Sequence, residues 1–133
     1  MPANIRFMNP GSIAKPGGYS HVVEATGPGR IVYIAGQLGL KPDGKIAGDF
    51  RAQCTQAFEN LKNALAAVGA TFDDVVKLNN YLVDIKTKLP HYRDVRDKYV
   101  NVKSPPASTT VGVPALARED ALFESEAVVM LAK

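Results

Sequence analysis

The sequence predicts an α+β fold, a mixed six-stranded sheet with two helices on one face, in the order β-β-β-α-β-α-β-β. Three observations carry this. Residues 50–68 repeat their apolar members every three or four positions, residues 87–99 do so more weakly, and the other apolar residues fall in short runs bounded by Gly and Pro. The 133 residues contain no linker, repeat or low-complexity tract, so one domain, 1–133, is expected.

Ile5 to Met8 alternates weakly before Asn9-Pro10-Gly11 and Lys15-Pro16-Gly17-Gly18 punctuate a loop. Tyr19 to Ala25 and Arg30 to Leu38, rich in Val, Ile and Tyr, flank Gly27-Pro28-Gly29 and read as a hairpin. Asp49 can cap the first helix, whose stripe is Phe50, Cys54, Ala57, Phe58, Leu61, Leu65 and Val68, and Gly69 can stop it. Val75 to Ile85 is apolar on both alternating faces, as a strand covered on both sides would be. Two helices can cover only one of those sides, which leaves the other for a second subunit. A second helix is expected from about Thr87, with Pro90 in its first turn and a stripe of Leu89, Tyr92, Val95 and Tyr99. Ala107 to Val113 and Ala121 to Leu131 supply the last two strands.

With 46% hydrophobic and 22% charged residues, the composition is that of a globular chain, and no apolar run is long enough to cross a bilayer. The N-terminus lacks the basic-then-apolar layout of a signal peptide, so a soluble, cytoplasmic protein is expected. Cys54 is the only cysteine, which excludes an internal disulfide and a zinc site built on thiolate pairs. The formal charge of +3 is too small to indicate nucleic acid unless concentrated. It is concentrated in 86–103, where Lys86, Lys88, Arg93, Arg96, Lys98 and Lys103 face only Asp94 and Asp97, either as a solvated helix face or as an anion site. No aromatics interleave with this run as a stacking platform would need, so no nucleic-acid partner is expected.

Walker, GxGxxG, HExxH and GxSxG patterns are absent, and His21 and His91 have no partners at metal-ligand spacing, so no metal or nucleotide cofactor is expected. Cys54 lies on the apolar stripe as a small hydrophobe. Glu124 and Glu126 share a strand face with Leu122, Val128 and Met130, where they either pair at a subunit boundary or form a desolvated acid beside a cleft. Asn79 and Asn80, amid apolar neighbours, need hydrogen-bond partners and are expected to fasten strands or subunits.

Tyr33-Ile34-Ala35-Gly36-Gln37, then Ala52-Gln53 to Gln56-Ala57-Phe58-Glu59-Asn60-Leu61-Lys62, then Asp74-Val75-Val76-Lys77 to Tyr81-Leu82-Val83-Asp84 form an ordered set that resembles the Rid family, also called YjgF. Gly18-Tyr19-Ser20 upstream and Pro106-Ala107, Val111, Val113, Glu124 and Glu126-Ala127 downstream extend the likeness over nearly the whole chain. The resemblance implies a chorismate-mutase-like fold, a homotrimer with clefts between subunits, and cofactor-free hydrolysis of enamines or imines such as 2-aminoacrylate. It also assigns roles. Tyr19 and Glu124 would orient substrate and water, and Gly36 and the Thr110 backbone would assist in binding.

Where the family's archetype reads Pro-Ala-Arg-Ser, this chain reads Pro106-Ala107-Ser108-Thr109. A serine hydroxyl cannot form the bidentate fork that an arginine offers a carboxylate, so a specificity altered from 2-aminoacrylate is expected. In the second helix the family's Phe-x-x-x-Asn-x-x-Tyr spacing falls on Tyr92, Arg96 and Tyr99. Arg96 is thus a candidate relocated guanidinium for a small-molecule anion; otherwise it pairs with Glu124 or Asp97. The other function class compatible with these residues is a trimeric small-molecule-binding protein without turnover.

Overall fold

A computed structural model of the chain describes residues 4–132. Its strands are β1 (Asn4–Met8), β2 (Val22–Thr26), β3 (Gly29–Leu38), β4 (Val75–Val83), β5 (Ala107–Val113) and β6 (Phe123–Ala132). Its helices are α1 (Phe50–Ala67) and α2 (Ile85–Arg96), and the α+β order matches the expected one. All six expected strands are formed, but instead of one six-stranded sheet their hydrogen-bond ladders divide into a mixed four-stranded sheet, β3-β6-β4-β5, and a ribbon of β1 and β2, because β2 takes β1 as its partner along its length. A parallel bridge from Ser20 to Ala107 ties the segment before β2 to β5.

The expected hairpin is not formed. No ladder joins β2 to β3 among the described residues. β2 pairs with β1, while β3 pairs with β6 from Gly29–Ala132 onward. Gly27, at φ 87°, does turn the chain, but the turn redirects it between two ladders. Strand pairing is settled by long-range burial, and β6 offers β3 a buried apolar row that β2 lacks.

α1 begins where Asp49 accepts a hydrogen bond from the Ala52 amide at 2.9 Å, and Gly69, at φ 74°, follows its end. Its buried face meets β3 and β6 through Phe50, Cys54, Ala57, Phe58, Leu61 and Leu65. The Phe58 ring stacks with those of Tyr99 (5.2 Å) and Phe123 (5.9 Å), fastening α1 to the turn after α2 and to the sheet. α2 starts two residues before the expected Thr87. Asp84 adopts the left-handed region at φ 59°, and its carbonyl takes the Thr87 and Lys88 amides. Pro90 therefore lies inside the helix rather than in its first turn.

Both helices cover one face of the sheet. Phe123, Ser125, Ala127, Val129 and Leu131 of β6 point to them and are buried, while Glu124, Glu126, Val128 and Met130 alternate onto the other face. Neither helix lies on that second face. Tyr33 and Ile31 stand on it 77% and 60% exposed, on the edge strand β3.

Candidate functional site

The sequence-predicted residues fall into two groups at different places in the sheet. The first lines a cleft of about 340 Å³ between α2, β5 and the loop before β2, and includes Tyr19, Tyr92, Arg96, Ser108 and Thr110. Ser20 sets the loop: its hydroxyl donates to the Pro105 carbonyl at 2.6 Å and its amide to the Pro106 carbonyl at 3.2 Å. That clamp holds Gly18 and Tyr19 beside the start of β5. Gly18, at φ 84°, packs so closely on the Arg96 guanidinium that any side chain there would overlap it.

Arg96 is 7% exposed, and its Nε donates to Asp97 at 2.9 Å while its guanidinium lies 5.5 Å from the Tyr92 ring. Of the two pairings considered from the sequence, the one with Asp97 is formed and the one with Glu124 is not. The two Nη groups make no hydrogen bond to any described residue and so remain available as a fork.

Across the cleft, the buried amide of Asn80 shares its N–H bonds among Ser108 Oγ (3.0 Å), the Thr109 carbonyl (3.2 Å) and Thr110 Oγ1 (3.2 Å). Its carbonyl takes the Ser125 hydroxyl at 2.7 Å. The expectation that Asn80 fastens strands is met, since it ties β4 to β5 and β6. There is a chemical consequence as well. Because Ser108 and Thr110 accept from Asn80, each keeps its own O–H to donate elsewhere.

Sequence reasoning missed Tyr92 as a site residue, because its spacing marks it as part of an apolar stripe. Its ring is buried as expected, but its hydroxyl has the Ser108 and Thr110 hydroxyls as neighbours and no partner in hydrogen-bond geometry. Burial holds the phenol above its usual range, and the nearby Arg96 offsets only part of that, so Tyr92 stays a neutral donor. The signal was a tyrosine where the family spacing has phenylalanine. With Arg96, Ser108 and Thr110 it makes a cleft whose polar groups are donors, suited chemically to an anion.

Glu124 and Gly36 form the second group. Ala35 and Gly36 together stand opposite Glu126, a bulge between the Ile34–Ala127 and Gln37–Ser125 pairs. The Glu124 carboxylate lies against Gly36, where any side chain would collide with it. Gly36 also lines a concavity of about 390 Å³ with Gln37, Asn60 and Asn63. Burial, and then the charge of Glu126, push the Glu124 carboxyl above the ordinary carboxylate range. Glu126 itself takes hydrogen bonds from Tyr81 (3.2 Å) and Asn79 (3.4 Å) on the same face.

One chain does not bring the two groups together. β6 and β5 are two strand spacings apart, roughly 10 Å. Ser108 and Thr110 point to the helix side, where Asn80 meets them, and Glu124 points to the other. Among the described residues no group of three or more His, Cys, Asp or Glu could hold a metal. No helix among them is long and apolar enough to cross a membrane.

A family model described as Endoribonuclease L-PSP matches residues 11–131. The chain belongs to this family, the Rid or YjgF family. The Rid-family protein YyfB from Yersinia pestis is 36% identical in its solved structure and superimposes with a TM-score of 0.87 over 96% of this chain and 99% of that one. RidA from an Antarctic Psychrobacter is 32% identical at a TM-score of 0.73, covering 84% of this chain and 89% of that one. A Dermatophagoides farinae protein named 2-iminobutanoate/2-iminopropanoate deaminase is 35% identical over 118 residues, 86% of this chain and 87% of its own. The resemblance read from the ordered motifs is borne out, and the α+β fold is the one these Rid-family chains share.

Proposed function

We propose that this Rid-family chain hydrolyses a small enamine or imine bearing a carboxylate, without a cofactor and with a specificity altered from 2-aminoacrylate. The observation that carries the reading is the donor-lined cleft, where Arg96 and the Ser108 and Thr110 hydroxyls line one cavity, with the buried Tyr92 hydroxyl behind them. A carboxylate accepts from the guanidinium and the two hydroxyls. The relative named as an imine deaminase supports the reaction class. Ser108, standing where the archetype has its clamping arginine, supports the altered specificity, because the guanidinium now comes from α2.

An imine carbon is already electrophilic, so the site has to hold the substrate, orient water and release ammonia. Water adds to the carbon as Glu124 takes one of its protons. Glu124 passes that proton to the nitrogen, giving the carbinolamine, then takes the carbinolamine hydroxyl proton and delivers it to the nitrogen as the carbon–nitrogen bond breaks, so that ammonia leaves and the carbonyl forms. The sum is imine plus water giving carbonyl compound plus ammonia, with no change of oxidation state. A raised carboxyl pKa brings Glu124 nearer the pH at which one group both takes and gives a proton. Tyr19, held by the Ser20 clamp, flanks the substrate.

Glu124 lies across the sheet from Arg96, so this mechanism needs the acid of one subunit to meet the cleft of another. The exposed Tyr33 and Ile31 on the face away from the helices support such a contact, and a homotrimer satisfies it. The same separation favours a second reading, a cleft that binds a small carboxylate without turnover.

Ammonia release from freshly generated imines of several amino acids separates the readings. Turnover in the wild type and its loss of about a hundredfold or more in Glu124→Gln support the hydrolase. Binding of 2-oxo acids without ammonia supports the second reading, and turnover indifferent to Glu124→Gln contradicts the assigned acid. Light scattering after gel filtration should give three times the chain mass; a monomer would leave the two groups apart.

A further inference from the structure

We propose that the Arg96 cleft prefers ligands with a carboxylate at each end, namely imines of acidic, dicarboxylic amino acids and the 2-oxo dicarboxylates they yield. The inference rests on the deaminase reading of the same cleft and names its substrate class. Its basis is a second guanidinium. Arg93 also lines the cleft, one helical turn from Arg96 and about 4.5 Å along the axis of α2. No acidic residue lines the cleft, and of the two arginines only Arg96 is balanced, by Asp97 outside it.

The two arginines differ in what already engages them. Arg96 is buried and gives its Nε to Asp97 at 2.9 Å. Arg93 is exposed and makes no ion pair or side-chain hydrogen bond with any described residue. The other carboxylates on and around α2 are taken: Asp84 accepts the Thr87 hydroxyl, and Asp94 pairs with Arg51 at 3.3 Å. Two anchoring points of the same sign therefore share about 340 Å³. The inner one, Arg96 with Ser108 and Thr110, suits the carboxylate next to the reacting carbon. The outer one, Arg93, suits a second carboxylate at the end of the side chain. A monocarboxylate leaves Arg93 without an anion, whereas a dicarboxylate satisfies both.

The chemistry at the reacting carbon is unchanged. Water supplies the carbonyl oxygen, the carbon–nitrogen bond breaks, nitrogen leaves as ammonia, and both carboxylates pass through intact.

Calorimetric titration of the full-length protein with 2-oxoglutarate and with 2-oxobutanoate, for wild type, Arg93→Gln and Arg96→Gln, tests this directly. Ammonia release from the imines of glutamate and of 2-aminobutyrate is measured alongside. The expected preference for 2-oxoglutarate is about tenfold, in line with one partly exposed charge-assisted contact. Arg93→Gln should abolish that preference while leaving 2-oxobutanoate affinity unchanged, and Arg96→Gln should weaken both ligands. Arg93 touches no other described side chain through a hydrogen bond, so its replacement leaves the fold intact. Equal affinities in the wild type, or a preference that survives Arg93→Gln, overturn the dicarboxylate assignment and leave the deaminase reading standing. A preference lost in Arg93→Gln with no ammonia from either imine supports the two-ended cleft and overturns turnover. Failure of both oxo acids to bind overturns the proposal.

Discussion

Asn80 offers a stringent test of how the cleft is held, because one buried amide ties its own strand to two others. In Asn80→Ala the Ser125 hydroxyl, itself fully buried, loses its acceptor at 2.7 Å, which costs about 1.5 kcal/mol. Ser108 and Thr110 lose a donor, but both can turn toward the Tyr92 hydroxyl, so their share is smaller, about 0.5 kcal/mol together. The void left by the amide adds about 1 kcal/mol. The total is about 3 kcal/mol, to be read from equilibrium urea unfolding at fixed protein concentration, as a lower midpoint with an unchanged slope. Adding Ser125→Ala removes the orphaned donor, so the double variant should be less destabilised than the sum of the singles, by about 1 kcal/mol. A loss under about 1 kcal/mol for Asn80→Ala, or strictly additive singles, would refute the view that this amide anchors the cleft wall.

Three further outcomes follow from named contacts. Gly36→Ala places a methyl group where the Glu124 carboxylate lies, so it should lower turnover about tenfold or more while leaving 2-oxo acid binding at Arg96 nearly intact, read as a fall in kcat with little change in KM. For Glu124 the folded carboxyl pKa is raised, so its contribution to stability is complete in acid and is lost as pH rises through that raised value. Thermal unfolding of Glu124→Gln should therefore lack the part of the wild type's decline in that window, and parallel pH profiles would contradict the shift. Burial pushes the Cys54 thiol up to about 12, so thiol reagents at neutral pH should modify it only after denaturation; rapid labelling of the native protein would show that α1 opens.

Local chemistry was legible in the sequence, and long-range pairing was not. Asp49 and Gly69 bracket α1 because capping is decided within one turn, and β5 falls where its β-branched run stands. The Gly27 turn was equally visible, yet its consequence depended on β6, which follows about a hundred residues later and takes β3 as its partner. The start of α2 was misplaced because a left-handed Asp84 leaves no periodic trace. For the site, alternation correctly put Glu124 and Glu126 on one face, and the resemblance to the Rid family singled out Arg96, which lines the cleft. The order of strands, which sets Glu124 and Ser108 on opposite faces, is not written in either pattern. Tyr92 was hidden for a simpler reason: a stripe of apolar spacing reports where a ring packs and says nothing about where its hydroxyl ends.

A crystal structure of the assembled protein with a bound 2-oxo acid addresses the central claim most directly. The account predicts a carboxylate bonded to the Arg96 Nη groups and to Ser108, with Glu124 of a neighbouring subunit one water away from the oxo carbon. A ligand bound elsewhere, or an assembly in which no Glu124 approaches any Arg96 cleft, would contradict it.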